Sequence, residues 1–218
     1  MTRAGVSAVL LAVALPVCAA AAPDMSAEGL LRDHLWREVR HAQTGERPRV
    51  GLVISAGSLR GVAHVGVIQA LENAGFPIDV VAGTSMGAVV GSVYASGMPL
   101  KRIWEFAAAL KVGSGNDLSA TRLVSLLLFD KLLSSEKTET TLREAIGGVR
   151  FDQMPKPFAC VAMDVYTGEA VIFRDGDVAS AVRASMNLPG LFRPIEYRHR
   201  FLVDGGVVDF IPVDAAHL

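Results

Sequence analysis

An α/β layered fold with a largely parallel central sheet is the class this sequence predicts, and three observations predict it. Short, β-branched apolar runs alternate with longer segments of helical periodicity. Glycine and proline punctuate the changes of period. Hydrophobic residues make up 51% and charged residues 20% of the 218 residues, which is enough apolar matter for a sizeable core and argues against disorder.

The elements follow in order. Arg3, an apolar stretch from Ala4 to Val17 and the run Ala19 to Ala22 have the layout of a signal peptide over residues 1–22. The stretch is shorter than the ~20 residues a membrane span needs, and an uncleaved anchor is the alternative. Cys18 follows Leu15-Pro16-Val17, but Val17 is bulky where a lipoprotein signal wants a small residue, so simple cleavage and export from a bacterium are expected. Residues 23–48, with Ala27 to Thr44 charged, read as a helix or linker, and 49–218 as the functional domain. Val50 to Ile54 predicts a buried strand, Ala56 to Gly61 a loop, and Val62 to Ala74 a helix stopped by Gly75. Ile78 to Ala82 predicts the next strand, Gly83 to Gly87 a tight turn, and Ala88 to Ser96 a helix of small residues. A helix over Leu100 to Leu110 precedes a loop at Gly113 to Asp117 and the strongly apolar run Thr121 to Leu133. An amphipathic helix starts at Ser134-Ser135-Glu136 and closes at Gly147-Gly148. Strands over Phe158 to Val165 and Glu169 to Arg174, a helix over Val178 to Ser185 and a strand at Phe201 to Val203 complete the chain.

Charge and cysteine usage exclude several functions. A formal net charge of -1 with no long basic run gives no electrostatic basis for nucleic-acid binding. Membrane contact would have to be apolar or local. No Cys/His cluster has metal-ligand spacing. Cys160, the one cysteine left after cleavage, sits in an apolar strand and reads as packing.

Gly83-Thr84-Ser85-Met86-Gly87 is a G-x-S-x-G pentapeptide between a predicted strand and a predicted helix, the context in which that motif carries a nucleophile. The turn is too sharp for flanking side chains, and it points the start of the next helix at the serine. A serine nucleophile needs a base. His34, His41 and His217 lie near the chain ends, His64 reads as a packing histidine, and His199 sits in the polar turn Tyr197 to Arg200. Asp204 is better placed, at a strand end followed by Gly205-Gly206, although Asp-Gly is also a common turn pair. Partial burial would raise its basicity. The loop Ser55 to Gly61 runs from strand to helix and suits backbone N–H groups converging on an oxyanion. It lacks G-x-x-x-x-G-K-[ST] and G-x-G-x-x-G, which argues against nucleotide.

Together these segments resemble the patatin-like phospholipase family. Ser55 to Gly61 with Ala63-His64-Val65-Gly66-Val67-Ile68 is similar to its glycine-rich loop and helix, and Gly83 to Ala88 to its nucleophile elbow. Ala184-Ser185-Met186-Asn187-Leu188-Pro189-Gly190-Leu191-Phe192-Arg193-Pro194 resembles its A-S-x-x-x-P-x-x-F-x-P stretch, and Asp204-Gly205-Gly206 its D-G-[GA] motif. Pro212-Val213 resembles the proline that follows. The resemblance implies a three-layer α/β/α fold and a Ser85–Asp204 dyad without histidine. It implies an oxyanion loop of Gly57, Ser58, Leu59, Arg60 and Gly61, with Met86 N–H assisting and Arg60 anchoring the loop. It also implies a lipid or other ester substrate and no cofactor. Two departures stand out. Three consecutive family glycines are here Ala56, Gly57 and Ser58, and a positive φ at either side chain would cost roughly 1 kcal/mol. Asparagine is common in the family where Asp209 or Phe210 stands here. The resemblance also implies at least one further strand and helix beyond Leu218. The expected activity is acyl-ester hydrolysis, with a carboxylesterase, a thioesterase or a catalytically weak lipid-binding protein as alternatives. Thr121 to Leu133 reads as a core helix or an acyl channel.

Overall fold

The computed structural model describes residues 49–117 and 135–217, together with Ser26, Leu30, Asp33, His34 and Arg37. Met1–Glu38 forms one compact unit and Val39–Leu218 another. In the first, Leu30, Asp33, His34 and Arg37 are helical and exposed, and Arg37 Nε donates to Asp33 O at 3.3 Å. The expected leader and the apolar run Thr121 to Leu133 lie outside the described residues.

The second unit runs β1 (Gly51–Ile54), α1 (Ala63–Asn73), β2 (Val80–Thr84), α2 (Met86–Ala95), α3 (Leu100–Asp117), α4 (Glu136–Ile146), β3 (Phe158–Asp164), β4 (Ala170–Phe173), α5 (Val178–Ser185), β5 (Ile195–Tyr197) and β6 (Arg200–Asp204). Short 3-10 turns lie at Ser58–Val62, Phe151–Gln153, Gly205–Val207 and Asp214–Ala216. Four details differ from expectation. β1 ends the hydrogen-bonded strand path, so only Ile54 of it is buried. β2 begins two residues later than expected and takes in Gly83 and Thr84, which leaves Ser85 as the whole turn. α3 runs through the expected loop at Gly113 to Asp117, carrying glycines that cost about 1 kcal/mol each in a helix. β5 was not expected. It pairs with β6 around Arg198 and His199, whose φ values are 47° and 63°. Such two-residue hairpins usually announce themselves as Asn-Gly or Asp-Gly, and Arg-His gives no such signal.

The strand path is β1-β2-β3-β6-β5, with β4 paired to β3 outside it. β1–β2 and β2–β3 are parallel, whereas β4 and β6 run antiparallel to β3, and β5 antiparallel to β6. The register on β3 positions the site. β4 pairs with Cys160 through Met163 and so fills one edge of β3. β2 pairs with Phe158 to Val161 and β6 with Ala162 to Asp164, so both use the other edge, one after the other. They run toward each other and stop on neighbouring residues, Thr84 opposite Val161 and Asp204 opposite Ala162.

Alternation along β2 and β3 divides the core. Val81, Phe158, Cys160 and Ala162 face the larger cluster, which includes Val65, Ile68, Val93, Leu142 and Val182 from the helices. Ala82, Ala159 and Val161 face a smaller one with Ala215. Every residue of α2 is buried, which explains its run of small, mostly uncharged side chains. The three-layer α/β/α class stands, with the parallel part of a mixed sheet confined to β1–β2–β3.

Candidate active site

Ser85 is the single residue between β2 and α2, with φ 56° and ψ -122°. For a residue with a Cβ this costs on the order of 1–3 kcal/mol, and such strain persists only where neighbours impose it. Here they do. A Cβ on Gly83 would collide with Gly87 O, and one on Gly87 with Ile54 O, so strand, turn and helix are pressed together on both sides of the serine. The first turn of α2 then presents its N-terminal N–H groups beside the hydroxyl. Thr84, the residue before Ser85, has a fully buried Oγ1 with no hydrogen-bond partner among the described residues.

Asp204 ends β6 head-on to that turn. Ser85 Oγ donates to Asp204 Oδ2 at 2.6 Å, across 119 residues of sequence. Gly206 N–H donates to Asp204 Oδ1 at 2.7 Å, so both carboxylate oxygens are engaged. Gly205 has no room for a side chain, because a Cβ would strike Val161 O. Both dyad residues are inside the fold, Ser85 at 7% exposure and Asp204 at 2%. Burial pushes the Asp204 carboxyl above the ordinary carboxylate range, against the pull of its bonds from Ser85 and Gly206. An alcohol held by a buried carboxylate of raised basicity is an arrangement for proton abstraction and nucleophilic attack.

The described histidines lie elsewhere. His64 Nε2 donates to Ser55 O at 3.2 Å and braces the start of the loop, and burial lowers its pKa against that bond. His199 sits in the β5–β6 turn, His217 follows the last 3-10 turn, and His34 belongs to the N-terminal unit. His41 lies outside the described residues. Cys160 is wholly buried in β3, and desolvation pushes its thiol pKa far up.

The loop after β1 divides its labour. Ala56 N–H donates to Phe210 O at 2.9 Å and Arg60 N–H to Gly57 O at 3.1 Å, which leaves Gly57, Ser58 and Leu59 as loop amides not engaged among the described residues. Ala56 needs no positive φ, but Ser58 has φ 49°. Of the two departures from glycine, only Ser58 is strained. The expected anchoring by Arg60 is corrected: its side chain is exposed, and the loop is held by Phe210 O and His64 instead. Gly61 is buried against Met86, where a Cβ would clash with Met86 Cγ, and Leu59 is 44% exposed. Ser55 to Gly61, His64 and Phe210 line a cavity of about 650 Å³. Ser85 and Asp204 are not in its wall, but two of its lining residues adjoin them. Gly61 packs on Met86, and Ala56 lies against Gly206. Two buried polar residues beside the dyad were given no site role from the sequence, Ser185 and Asn187. They stand within the stretch Ala184 to Pro194, where Ser185 is a motif position, and that stretch is the signal that could have marked them.

Comparison with known proteins gives the family and the fold. A family model described as patatin-like phospholipase matches residues 52–217. An uncharacterized NTE family protein of Mycobacterium tuberculosis is 41% identical over 172 residues, covering 76% of this chain and 45% of that protein. The lysophospholipase NTE1 of Saccharomyces cerevisiae is 32% identical over 166 residues, covering 75% of this chain and 10% of that protein. Less than half of each of these relatives is therefore spanned. The crystal structure of VipD from Legionella pneumophila superimposes with a TM-score of 0.54 at 16% identity, over 75% of this chain and 47% of that one, a likeness of fold.

Proposed function

Since the chain belongs to the patatin-like phospholipase family, we propose that it is a serine lipid-acyl hydrolase in which Ser85 is the nucleophile and Asp204 its base. The observation that carries this reading is the 2.6 Å bond from a strained Ser85 hydroxyl to a buried, raised-pKa Asp204. Asp204 takes the Ser85 proton as Oγ attacks the ester carbonyl. The oxyanion is held by the Gly57 and Ser58 N–H groups and by Met86 N–H at the start of α2. The proton passes from Asp204 to the departing alcohol. Asp204 then takes a proton from water, which attacks the acyl-Ser85 ester, and returns it to Ser85 as the acid leaves. The apolar side chains of Leu59 and Phe210 along the cavity favour acyl substrates over small polar esters. We place the enzyme outside the bacterial cytoplasm on the strength of its leader pattern.

A fluorophosphonate probe tests the dyad directly. Wild type is expected to label, Ser85→Ala not at all, and Asp204→Asn roughly 10²–10⁴-fold more slowly, the range for loss of a general base. The labelling rate should fall on the acid side at a pH above the ordinary carboxylate range, where Asp204 becomes protonated. Labelling that survives in Ser85→Ala would sink the proposal. Ser58, strained where the family has glycine, favours a second reading as a weak enzyme that chiefly binds lipid. Lipid binding without turnover would select it.

A further inference from the structure

β2 and β6 meet end to end on β3, so no ladder of hydrogen bonds between them sets the distance from Ser85 to Asp204. The C-terminus of α5 does touch both. Ser185, its last residue, accepts the Ser85 N–H on Oγ at 2.9 Å. Asn187, two residues on, accepts the Asp204 N–H on its backbone carbonyl at 2.9 Å. One short stretch thus grips the main chain at both members of the pair.

The Asn187 side chain fastens that stretch in turn. Its Oδ1 accepts from Ser135 Oγ at 2.9 Å and its Nδ2 donates to Arg193 O at 2.8 Å. Ser135 Oγ also accepts from Arg183 Nε at 3.0 Å, and Arg183 Nη1 donates to Glu139 Oε2 at 2.8 Å. Ser185 and Asn187 are fully buried, so the bonds from Ser85 N–H to Ser185 and from Ser135 to Asn187 are shielded from competing water. A polar cluster this enclosed is worth keeping only where its geometry matters, and the groups it ends on are the two dyad amides.

We propose that Ser185 and Asn187 are positioning residues that together form a bracket setting the Ser85–Asp204 distance, with Ser135 and Arg183 as its anchor to α4. The inference rests on the reading of Ser85 and Asp204 as a hydrolytic dyad. It has a corollary: with its N–H given to Ser185, Ser85 contributes no donor to the oxyanion, which falls to Gly57, Ser58 and Met86.

The test compares fluorophosphonate labelling with thermal unfolding in the full chain. Ser185→Ala and Asn187→Ala are expected to label ten- to a hundredfold more slowly, as misplacement by about 1 Å does. Their acid limb should move to higher pH, because a loosened Ser85 bond no longer lowers the Asp204 pKa. Restoring the hydroxyl with Ser185→Thr should recover rate. Val178→Ala, buried in α5 away from the bracket, should lower Tm while keeping the wild-type rate and limb. Bracket variants that fold and label like wild type with an unmoved limb overturn the proposal. If neither folds, Ser135→Ala decides, with slowed labelling supporting the bracket and a wild-type rate overturning it. An unlabelled wild type defeats the dyad reading itself, a distinct result, and the bracket with it.

Discussion

At Asp204 the needs of chemistry and of stability pull apart. Its folded pKa is raised, first by burial, so the folded state binds this proton more tightly than the unfolded chain does. That contribution to stability is present below the unfolded carboxylate pKa of ~4 and is lost as pH rises through the folded value. At neutral pH the fold therefore carries a desolvated charge. Asp204→Asn, which keeps the shape and drops the charge, should raise Tm at pH 7 while abolishing most labelling, and the gain should vanish in a melt at pH 3. Ser58 offers the converse case. With φ at 49°, Ser58→Gly should stabilise by about 1 kcal/mol, read as a Tm increase of roughly 2–4 °C, and should relax the loop that presents the Gly57 and Ser58 amides. An unchanged Tm would mean that the strain is offset elsewhere.

Among the elements, α4 meets α5 through a network of partly buried ion pairs. Arg143 pairs with Asp177 at 2.6 Å and Glu139 at 2.7 Å, and Arg183 with Glu139 at 2.8 Å. Asp177 also caps α5 by accepting Ser180 N–H at 2.8 Å. Burial raises the carboxyls of Glu139 and Asp177, but the arginine and serine donors outweigh it and hold both below their usual values. Their sign is opposite to that of Asp204. The stabilisation is present above the unfolded pKa and is lost as pH falls through the folded one. Glu139→Gln should cost about 1.5–3 kcal/mol at pH 7, the range for hydrogen bonds to charged groups, and little at pH 3, as measured by urea unfolding. An equal cost at both pH values would assign the effect to packing. α4 then stops at Gly147, with φ 78°, where Gly147→Ala should lose about 1 kcal/mol.

For the molecule as a whole, the proposed lipid-acyl hydrolysis leaves the task of holding the acyl chain to the cavity beside the oxyanion loop. At about 650 Å³ it lies within the usual range for ligand sites, and Leu59 and Phe210 give its wall an apolar character. Each buried methylene is worth ~0.8 kcal/mol, close to fourfold in affinity. Across p-nitrophenyl esters, kcat/KM should therefore climb from acetate toward medium chains. A flat series would favour a general esterase over a lipid-acyl hydrolase.

Local pattern alone carried the elements that surround the dyad. Glycine at positions 83 and 87, a β-branched run before them and small residues after them determine a strand, a tight turn and a buried helix, although the shortening of the turn to Ser85 alone came with the structure. Asp204 was legible as a strand-end carboxylate, and the family resemblance named it as the base, but its distance from Ser85 was not legible. A sequence does not disclose that β2 and β6 share one edge of β3 and stop on adjacent residues. β5 was hidden because its turn residues, Arg198 and His199, hold positive φ without the usual chemistry. The stretch holding Ser185 and Asn187 was legible, but their bonds were not, because the partners lie 100 and 52 residues away. Short-range sterics act between neighbours and can be read from order along the chain. Desolvation of Asp204 and the bonds that fix its distance from Ser85 arise between distant segments, so only the tertiary structure decided them.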